Sequence, residues 1–494
     1  MAKKVFWLSK SKVMSGRQCE KRLWLETHRR ELVEVSSATQ MTFDHGHMFG
    51  DLARSVIGEG ALIEHVDNIA LAISETTTLL RSERLLFEPA FTHQNVLSRA
   101  DGLQRVWDGW NMIEVKASTS VKDYYLDDCA VQAWVLKGAG VKVRKVTLAF
   151  VNNRFVYRGK NNYEGLLNYE DITAQVFERV PSVEQWVARL RKVLGGKEPV
   201  INVGKQCSTP YACPFTAYCQ SKEPAPAKHP VALLPRSGEI VEKMAALGID
   251  DLRDVPPAAL KNALHRRIRQ AHISGRPYLD PNAGRALNKL SWPRYYLDFE
   301  TIAFPVPLWK GTRPYQQVPF QWSCHHETKS GKLFHTTFLD TSGEAPMEDF
   351  ASSLIKALGK RGPVFVYNQA FEEARIKELA QMLPTLCEPL LAIVDRLVDL
   401  LPITREHYYH PDMRGSFSIK AVLPTVAPDL DYGNLEHVQD GGMAQQAWLE
   451  AVSDATPGER KTELRQGLLD YCERDTLAMV RLADFLQSGE SLID

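Results

Sequence analysis

A regular pattern of polar and apolar positions runs from residue 98 to residue 136 of the 494-residue chain. The turn-prone Asp108-Gly109 pair separates a segment that begins at Asp101 from an apolar, strand-like segment that ends with Glu114 and Lys116, which predicts two antiparallel strands joined by a tight turn. The following segment, YYLDDCAVQAWVL, has the spacing of an amphipathic helix. Further strands are predicted at 81–91 and 143–152, and a further helix at 183–194. Together these elements predict an α/β unit.

A change in composition follows at SKEPAPAKHP, whose proline-rich polar character is typical of a linker. The next stretch is helical and contains the basic segment HRRIRQAHISGR, which could meet phosphate groups of a nucleic acid. A helical spacer with a solvated face is the alternative. A second α/β part begins with the apolar strand WPRYYLDFE and continues through the strand-to-helix segment GPVFVYNQAFEEARI. It ends in the helix GLLDYCERDTLAMVRLADFL.

Charged residues at the end of the first predicted hairpin form a candidate catalytic group. Glu114 and Lys116 are two residues apart and therefore point to the same face of a strand. Antiparallel pairing across the turn would bring Asp101 beside Glu114. Two carboxylates and a lysine can hold a divalent cation and stabilise charge during phosphodiester hydrolysis. A surface hairpin with scattered charge is the alternative interpretation.

The second α/β part also carries acidic residues at strand and helix positions. Asp298 and Glu300 share one strand face, where like charges repel unless a cation lies between them. Glu372 follows the strand-to-helix junction. In the last helix, Tyr471 and Asp475 are four residues apart and so lie on one face. This pattern indicates a metal site.

Four of the eight cysteines form a possible ligand set. Cys19 lies at the head of a predicted helix, and Cys207, Cys213 and Cys219 follow one another at C-x5-C-x5-C spacing. Four thiolates suit either zinc or an iron–sulfur cluster, and spacing alone leaves the choice open. We expect Cys129, Cys324, Cys387 and Cys472 to be core thiols.

The whole-chain composition limits the remaining choices. The length predicts two or three domains, and apolar residues at 44% suffice for sizeable cores. The formal net charge is zero, so any attraction to nucleic acid has to be local. The opening residues MAKKVFWLSKSK are too polar for a secretory leader, and no apolar run is long enough to span a membrane. We therefore expect a cytoplasmic protein without membrane contacts.

The segments RADG and IEVKAST, followed by Gln132, resemble the core of PD-(D/E)XK nucleases of the RecB and Cas4 type, over roughly the first 220 residues. The resemblance implies that Asp101 and Glu114 are metal ligands, that Lys116 is the catalytic lysine and that Gln132 is the helix glutamine that often follows. The segments QCEKRLWL and CPFTAYC look like the Cas4 and AddB arrangement. That likeness implies a [4Fe-4S] cluster on the cysteines described above.

The motifs DFE, NQAFE and YxxxD, in this order, resemble the DEDD exonucleases, which have an RNase H-like fold, over about residues 291–490. This likeness implies that two divalent ions, Mg²⁺ or Mn²⁺, are bound by Asp298, Glu300, Glu372 and Asp475. Tyr471 would orient or help deprotonate the attacking water. The whole chain resembles a bacterial family with a RecB/Cas4-like nuclease at its N-terminus and a DUF2779 or RNase H-like domain at its C-terminus.

The expected architecture is a Cas4-like, restriction-endonuclease-type α/β domain at 1–222, closed by the cysteines. A linker and helical connector occupy 223–290, and an RNase H-like α/β exonuclease domain occupies 291–494. The expected function is a metal-dependent nuclease, a deoxyribonuclease of PD-(D/E)XK and DEDDy 3′–5′ exonuclease type. Its preferred partner is a single-stranded DNA end, with a role in DNA repair or phage defence.

The sequence also allows other interpretations of the function. The protein could be a nucleic-acid-binding scaffold with one or both sites inactive, because Gly50, Leu136 and Glu372 depart from the family patterns. A third reading is a zinc-stabilised structural module with solvated acidic strands. A helicase or a defence-system component would be a partner of the nuclease, and RNA remains an alternative substrate.

Overall fold

A computed structural model describes residues 6–34 and 37–488 of the chain, and the side chains of residues 37–44 lie outside this description. The chain divides into two compact units. The first contains residues 1–224 and 304–316, and the second contains residues 225–303 and 317–494. Both units combine sheets with helices, so the predicted α/β class is confirmed at this level.

The helices of the described residues are α1 (Lys10–Gln18), α2 (Glu20–His28), α3 (Ser37–Ile57), α4 (Ile69–Leu79), α5 (Asp123–Gly138), α6 (Thr173–Leu194), α7 (Thr216–Gln220), α8 (Gly238–Ala246), α9 (Ala263–Ser274), α10 (Asn282–Asn288), α11 (Met347–Leu358), α12 (Gln369–Met382), α13 (Cys387–Val394), α14 (Leu400–His407), α15 (Ile419–Val426), α16 (Gly441–Val452) and α17 (Gly458–Ser488).

The strands are β1 (Leu8–Ser9), β2 (Ala61–Leu62), β3 (Leu85–Phe87), β4 (Ala90–His93), β5 (Val96–Arg99), β6 (Gly102–Val106), β7 (Gly109–Lys116), β8 (Val143–Val151), β9 (Leu167–Asp171), β10 (Tyr278–Leu279), β11 (Arg294–Ile302), β12 (Val318–Glu327), β13 (Leu333–Leu339), β14 (Val364–Val366), β15 (Leu397–Asp399) and β16 (Tyr408–Tyr409).

The main sheet of the first unit has the strand order β2-β3-β6-β7-β8-β9. Strands β6 and β7 form the predicted antiparallel hairpin, whereas β7 and β8 are parallel and are joined through α5. Alternation along β7 places Trp110 and Met112 in the core beneath α5, and Ile113 in a separate core cluster with Phe49 of α3. Glu114 and Lys116 continue the α5-facing row, which positions the first candidate site.

Two sequence predictions for this unit differ from the structure. The helix at YYLDDCAVQAWVL forms as α5, but it is not amphipathic, because nearly all residues from Tyr125 to Leu136 are buried. It lies between the sheet and α6, so no face of its centre is left to water. The strand predicted at 81–91 is divided into β3 and β4, because Glu88 has a left-handed backbone (φ 55°) and Pro89 cannot donate a ladder hydrogen bond.

The main sheet of the second unit has the order β13-β12-β11-β14-β15. The pairs β13/β12 and β12/β11 are antiparallel, and β11/β14 and β14/β15 are parallel. Helix α17 packs on β11 and β12. The acidic residues of DFE and YxxxD therefore come from elements in direct contact.

The basic segment HRRIRQAHISGR forms α9 and its end. The guanidinium groups of Arg266, Arg267 and Arg269 donate hydrogen bonds to main-chain carbonyl groups within this unit, at Leu260, Arg405 and Arg253 respectively. These contacts hold the basic side chains against the second unit, and both interpretations of this segment stay predictions. Among the described residues, no helix is both long enough and apolar enough to cross a bilayer.

Candidate active sites

The first candidate site lies at the carboxyl-terminal end of β7. Gly102 pairs with Ile113 across the hairpin, so the residue before it, Asp101, lies level with Glu114. The Asp101 carboxylate accepts a hydrogen bond of 2.6 Å from the main-chain N–H of Val115. The predicted approach of the two acidic residues across the turn is therefore present in the structure.

Helix α5 adds two side chains to this strand end. Gln132 Nε2 donates to Glu114 Oε2 at 2.5 Å, and Lys116 Nζ lies 2.6 Å from Glu114 and 2.7 Å from Asp128. Asp128 and Gln132 are four residues apart and so project from one face of α5. The structure brings together Asp101, Glu114, Lys116 and Gln132, as the sequence predicted. Asp128, to which no role was given, joins them.

Lys10 is the residue of this site that sequence reasoning missed. It is the first residue of α1, and its Nζ lies 3.0 Å from Glu114 and 3.3 Å from Asp128. No spacing pattern links residue 10 to residues more than 100 positions away, so only the folded chain reveals the contact. Two lysines therefore share the same two carboxylates.

The two predicted acidic ligands of this site have opposite pKa shifts. Burial, with the nearby charge of Glu114, raises the pKa of Asp101 to about 8. Burial alone would also raise the pKa of Glu114, but Lys10 and Lys116 outweigh it and hold that pKa well below its usual range. The pKa of Lys116 is raised, since Asp128 and Glu114 outweigh its burial. Without a metal ion, Glu114 is ionised at neutral pH and Asp101 is largely protonated.

The second candidate site lies where β11 meets α17. Asp298 and Glu300 share one face of β11, and ligand oxygens of these two residues and of Asp475 all lie within 4.8 Å of one another. Of the described residues, only these three bring three potential ligand atoms so close together. Glu300 and Asp475 are buried. Residues almost 180 positions apart thus form the acidic group that the sequence predicted.

Glu372 lines the same cavity, whose volume is about 220 Å³, but lies outside the compact group. It occupies the first turn of α12, whose start is fixed because Asp399 accepts hydrogen bonds from the N–H groups of Asn368 and Gln369. Glu372 is 2% exposed, and its Oε2 has no hydrogen-bond partner in the structure. Burial raises its pKa to about 8. A buried carboxylate oxygen that lacks a hydrogen-bond partner among the described residues and faces a cavity is suited to bind a cation.

Tyr471 lines this cavity one turn before Asp475. Two neighbours were not predicted. Tyr432 Oη donates a hydrogen bond of 2.5 Å to Asp475 Oδ1, and Lys420 Nζ lies 4.8 Å from the ring centre of Tyr471. Both come from the region between the predicted motifs, and neither was assigned a role from the sequence.

Negative charge in the second site is only partly balanced by protein cations. Burial raises the pKa of Asp475 to about 6, against the lowering effect of the Tyr432 hydrogen bond and of Lys420. The pKa values of Asp298 and Glu300 are raised further, first by burial and then by the charge of Asp475. This site therefore takes up protons in the absence of a metal ion.

The four predicted cysteine ligands line one small cavity of the first unit, together with Lys21 and Arg22. Cys19 is the residue that precedes α2, and the main-chain N–H of Cys213 donates to the carbonyl of Cys207 at 2.8 Å. Cys219 lies in α7. Of the cysteines expected in the core, Cys129, Cys324 and Cys472 are buried, whereas Cys387 is half-buried.

Comparisons with known proteins match parts of this chain. Residues 295–418 match the family model described as "Domain of unknown function (DUF2779)". This stretch of the chain is therefore similar to the DUF2779 family. The match confirms the DUF2779 part of the resemblance and includes Asp298, Glu300 and Glu372.

Two curated relatives share part of the chain. They are "Uncharacterized protein MG366 homolog" of Mycoplasma pneumoniae, 26% identical over 218 residues, and "Uncharacterized protein MG366" of Mycoplasma genitalium, 27% identical over 222 residues. Each alignment covers 40% of this chain and 33% of the relative, so the chain spans a third of the length of the curated relatives it matches.

A solved structure entitled "Crystal structure of SSO0001" aligns with 45% of this chain and 91% of its own at 15% identity. Its TM-score of 0.23 carries no argument about fold or function.

Proposed function

We propose that the protein is a metal-dependent nuclease with two hydrolytic sites, which acts on single-stranded ends of DNA. The observation that carries the proposal is the group formed by Asp298, Glu300 and Asp475, whose ligand oxygens lie within 4.8 Å of one another beside a cavity. Buried carboxylates at this separation repel, so they require protons or a cation. Oxygen ligands of this kind suit Mg²⁺ or Mn²⁺.

The second site would be an exonuclease centre in an RNase H-like unit. The sheet order, with three antiparallel strands followed by two parallel ones, supports this assignment. Divalent ions held by Asp298, Glu300, Glu372 and Asp475 would activate water and stabilise the leaving oxygen. Tyr432 orients Asp475 through its hydrogen bond. The hydroxyl of Tyr471 would orient the attacking water, and Lys420 would attract the substrate phosphate.

The first site would be a Cas4-like nuclease centre. Asp101 and Glu114 would hold the divalent ion there, and Lys116 would stabilise the negative charge that develops on the scissile phosphate. Gln132 fixes the orientation of Glu114 by its hydrogen bond of 2.5 Å. The support for this assignment is the convergence of four predicted side chains on one strand end.

We further propose that Cys19, Cys207, Cys213 and Cys219 hold a [4Fe-4S] cluster. The donor set fits, because four thiols from distant parts of the chain line one cavity. Four thiolates also suit zinc. The likeness of QCEKRLWL and CPFTAYC to the Cas4 and AddB arrangement is the reason for proposing the iron–sulfur cluster.

A second candidate function is a nucleic-acid-binding scaffold, and the contacts of Lys10 favour it for the first site. Lys10 and Lys116 together occupy oxygen atoms of Glu114 and Asp128 that a metal ion would otherwise use. A site neutralised in this way could bind a phosphate without cleaving it.

The test is digestion of end-labelled single-stranded DNA with Mn²⁺, with an RNA substrate in parallel. Wild type is compared with Lys116→Ala in the first site and Asp298→Ala in the second, and with Asp470→Ala, an exposed residue of α17, as the control. We expect each active-site variant to lose a distinct set of products, while the control behaves as wild type.

The outcomes separate the two functions. Loss of products in only one variant would leave the other unit as a binding platform. Intact DNA and RNA in all reactions, with binding that is independent of divalent metal, would exclude the nuclease and support the scaffold.

A further inference from the structure

The rim of the first candidate site carries tyrosines from separate parts of the chain. Tyr124 and Tyr125 begin α5, with their ring centres 4.4 Å apart. Tyr211 comes from the loop between Cys207 and Cys213, and its ring centre lies 5.3 Å from that of Tyr124. These three residues form a continuous aromatic row.

The aromatic row leads directly to the catalytic group. Lys116 Nζ lies 5.4 Å from the ring centre of Tyr125. Next to Lys116, the main-chain carbonyl of Ala117 accepts a hydrogen bond of 2.8 Å from the hydroxyl of Tyr315. Tyr315 belongs to residues 304–316, which are part of the first unit. A fourth tyrosine therefore lies at the same site.

The outer members of this group are open to solvent. Tyr211 is 51% exposed and Tyr315 is 37% exposed. Lys122 is also exposed, and its Nζ lies 5.9 Å from the ring centres of both Tyr124 and Tyr125. Packing of the cysteine loop on α5 would explain buried rings, but it does not explain why the ring of Tyr211 is half exposed next to that of Tyr124.

We propose that Tyr211, Tyr124 and Tyr315 form a stacking surface for the bases of single-stranded nucleic acid that enters the first site. The proposal rests on the proposed nuclease function and adds how the substrate is held. Aromatic rings stack on any base, because every base has a π-face, and a nearby lysine attracts the backbone. This chemistry selects unpaired strands, since the bases of an intact duplex are stacked on one another.

The hydroxyl groups add a second type of contact. Burial raises the pKa of Tyr211 and of Tyr124, and raises that of Tyr315 to about 12. These hydroxyls therefore stay protonated at neutral pH. The Tyr315 hydroxyl already donates its hydrogen to the carbonyl of Ala117, so the hydroxyl that would donate to a phosphate oxygen is that of Tyr211. The rings would hold the bases and this hydroxyl would steer the backbone.

Tyr211 also connects this surface to the cysteine cavity. Gln18 Nε2 donates to the main-chain carbonyl groups of Tyr211 and Gln206, at 2.7 Å in each case. Gln18 directly precedes Cys19. The side chain that would contact the bases is thus held in place by the loop that carries two of the proposed cluster ligands.

The test measures binding of a fluorescein-labelled oligo-dT strand by anisotropy, with Ca²⁺ in place of Mn²⁺ so that binding is read without cleavage. Wild type is compared with Tyr211→Ala, Tyr211→Phe and Tyr315→Ala. The control is Trp107→Ala, which removes a fully exposed aromatic residue at the hairpin turn, at the opposite end of β7 from Lys116. Visible absorption of each variant checks that the cysteine loop is intact.

We expect Tyr211→Ala to weaken binding roughly 5- to 150-fold, the range for loss of one base–aromatic stack. Tyr315→Ala should weaken it as well, Tyr211→Phe should bind nearly as wild type, and Trp107→Ala should be unchanged. Equal affinity of Tyr211→Ala, Tyr315→Ala and wild type would overturn the proposal. Equal losses in Tyr211→Phe and Tyr211→Ala would also overturn it, since the hydroxyl and not the ring would then carry the binding.

The failure of this proposal is distinguishable from the failure of the nuclease function. Cleavage by wild type with no effect of the tyrosines on binding would remove the stacking surface and leave the nuclease. Binding that depends on Tyr211 without any cleavage would leave the stacking surface and remove the nuclease.

Discussion

The two candidate sites balance their acidic residues in different ways. In the first site, Lys10 and Lys116 contact Glu114 and Asp128, so the carboxylates and ammonium groups neutralise one another. In the second site, the carboxylates of β11 and α17 lie close together, the charge of Lys420 offsets them only in part, and their pKa values rise. The first site carries its own counter-charge, whereas the second has to acquire protons or metal ions.

This difference predicts how strongly each site depends on divalent metal. In the second site, burial and mutual repulsion make the ionised carboxylates unfavourable. A metal ion that replaces their protons supplies positive charge and relieves this repulsion. A metal ion entering the first site has to compete with two lysines for the same oxygens. We therefore expect the second site to fill at lower metal concentration than the first.

The largest expected effect is that of Asp475→Asn. The substitution keeps the side-chain shape and removes one of the three close carboxylates. Loss of a residue that only hydrogen-bonds to a metal ligand typically costs ~10- to 100-fold. Loss of a ligand itself should cost more, so the products of the second site should fall by roughly a hundredfold or more. Gel analysis of end-labelled DNA measures the loss. Asp470→Asn, an exposed position on the same helix, is the matched control. Unchanged products from Asp475→Asn would show that the acidic group of the second site is not catalytic.

Cys213→Ser should affect the first unit alone. Removal of one thiolate from the proposed four should release most of the iron and lower the visible absorption. The products of the first site should also be lost, because the cysteine loop contacts the rim of that site. Iron analysis and product patterns measure both effects, and Cys387→Ser is the control. Zinc at one equivalent with no iron in the wild-type protein would contradict the cluster assignment.

Lys10→Met should sharpen the contrast in metal dependence. Without Lys10, Glu114 still has Lys116 as a cationic partner. The free energy of unfolding of the metal-free protein should therefore fall by about 1–3 kcal/mol. This is less than the cost of a buried charge that has lost its partner entirely. Mn²⁺ should then restore stability at a lower concentration than in wild type. Denaturant unfolding across a Mn²⁺ titration measures both, with Lys12→Met on the same helix as the control. Equal Mn²⁺ dependence in the two variants would show that Lys10 does not compete with the metal.

The smallest expected effect is a pH dependence of stability. Folding raises the pKa of Asp475 to about 6 and the pKa of Glu372 to about 8. A raised carboxyl pKa means that the folded state holds a proton which the unfolded state releases. The metal-free protein should therefore lose stability as pH rises from about 5 to about 8.

Denaturant unfolding after removal of divalent ions measures this slope. Glu372→Gln should flatten the slope and stabilise the metal-free protein by about 1–3 kcal/mol at the upper end of the range, because the amide needs no proton to stay neutral. Added Mg²⁺ or Mn²⁺ should abolish the slope in wild type. A slope that is identical in Glu372→Gln and wild type would show that this residue is not the group that titrates.

Short-range patterns predicted much of this structure. The Asp108-Gly109 turn fixed the register that places Asp101 level with Glu114, and strand alternation placed Asp298 beside Glu300. Helix spacing likewise placed Tyr471 and Asp475 on one face. In each case the residues are separated by a few positions or by one tight turn, so local geometry suffices.

Long-range packing accounts for what sequence reasoning missed. Lys10, Tyr432 and Lys420 reach their sites from elements whose positions depend on the whole fold. The burial of α5 on all sides could not be predicted from its own sequence either. Polar residues recur along a helix with the same spacing whether they face water or another helix. Asp128 illustrates the point, since it is a charged residue of this helix and yet it is buried in contact with Lys116 of the first candidate site.

Helix α1 begins with Lys10 in the first site and ends just before Cys19 at the cysteine cavity. Its nine residues span about 13 Å at about 1.5 Å per residue, and each residue turns the helix by about 100°. Insertion or deletion of a single residue would therefore rotate one end away from its partners whenever the other end is kept in place. Helix α1 therefore sets the distance between the first candidate site and the cysteine cavity, and a change in its length would disturb one of them.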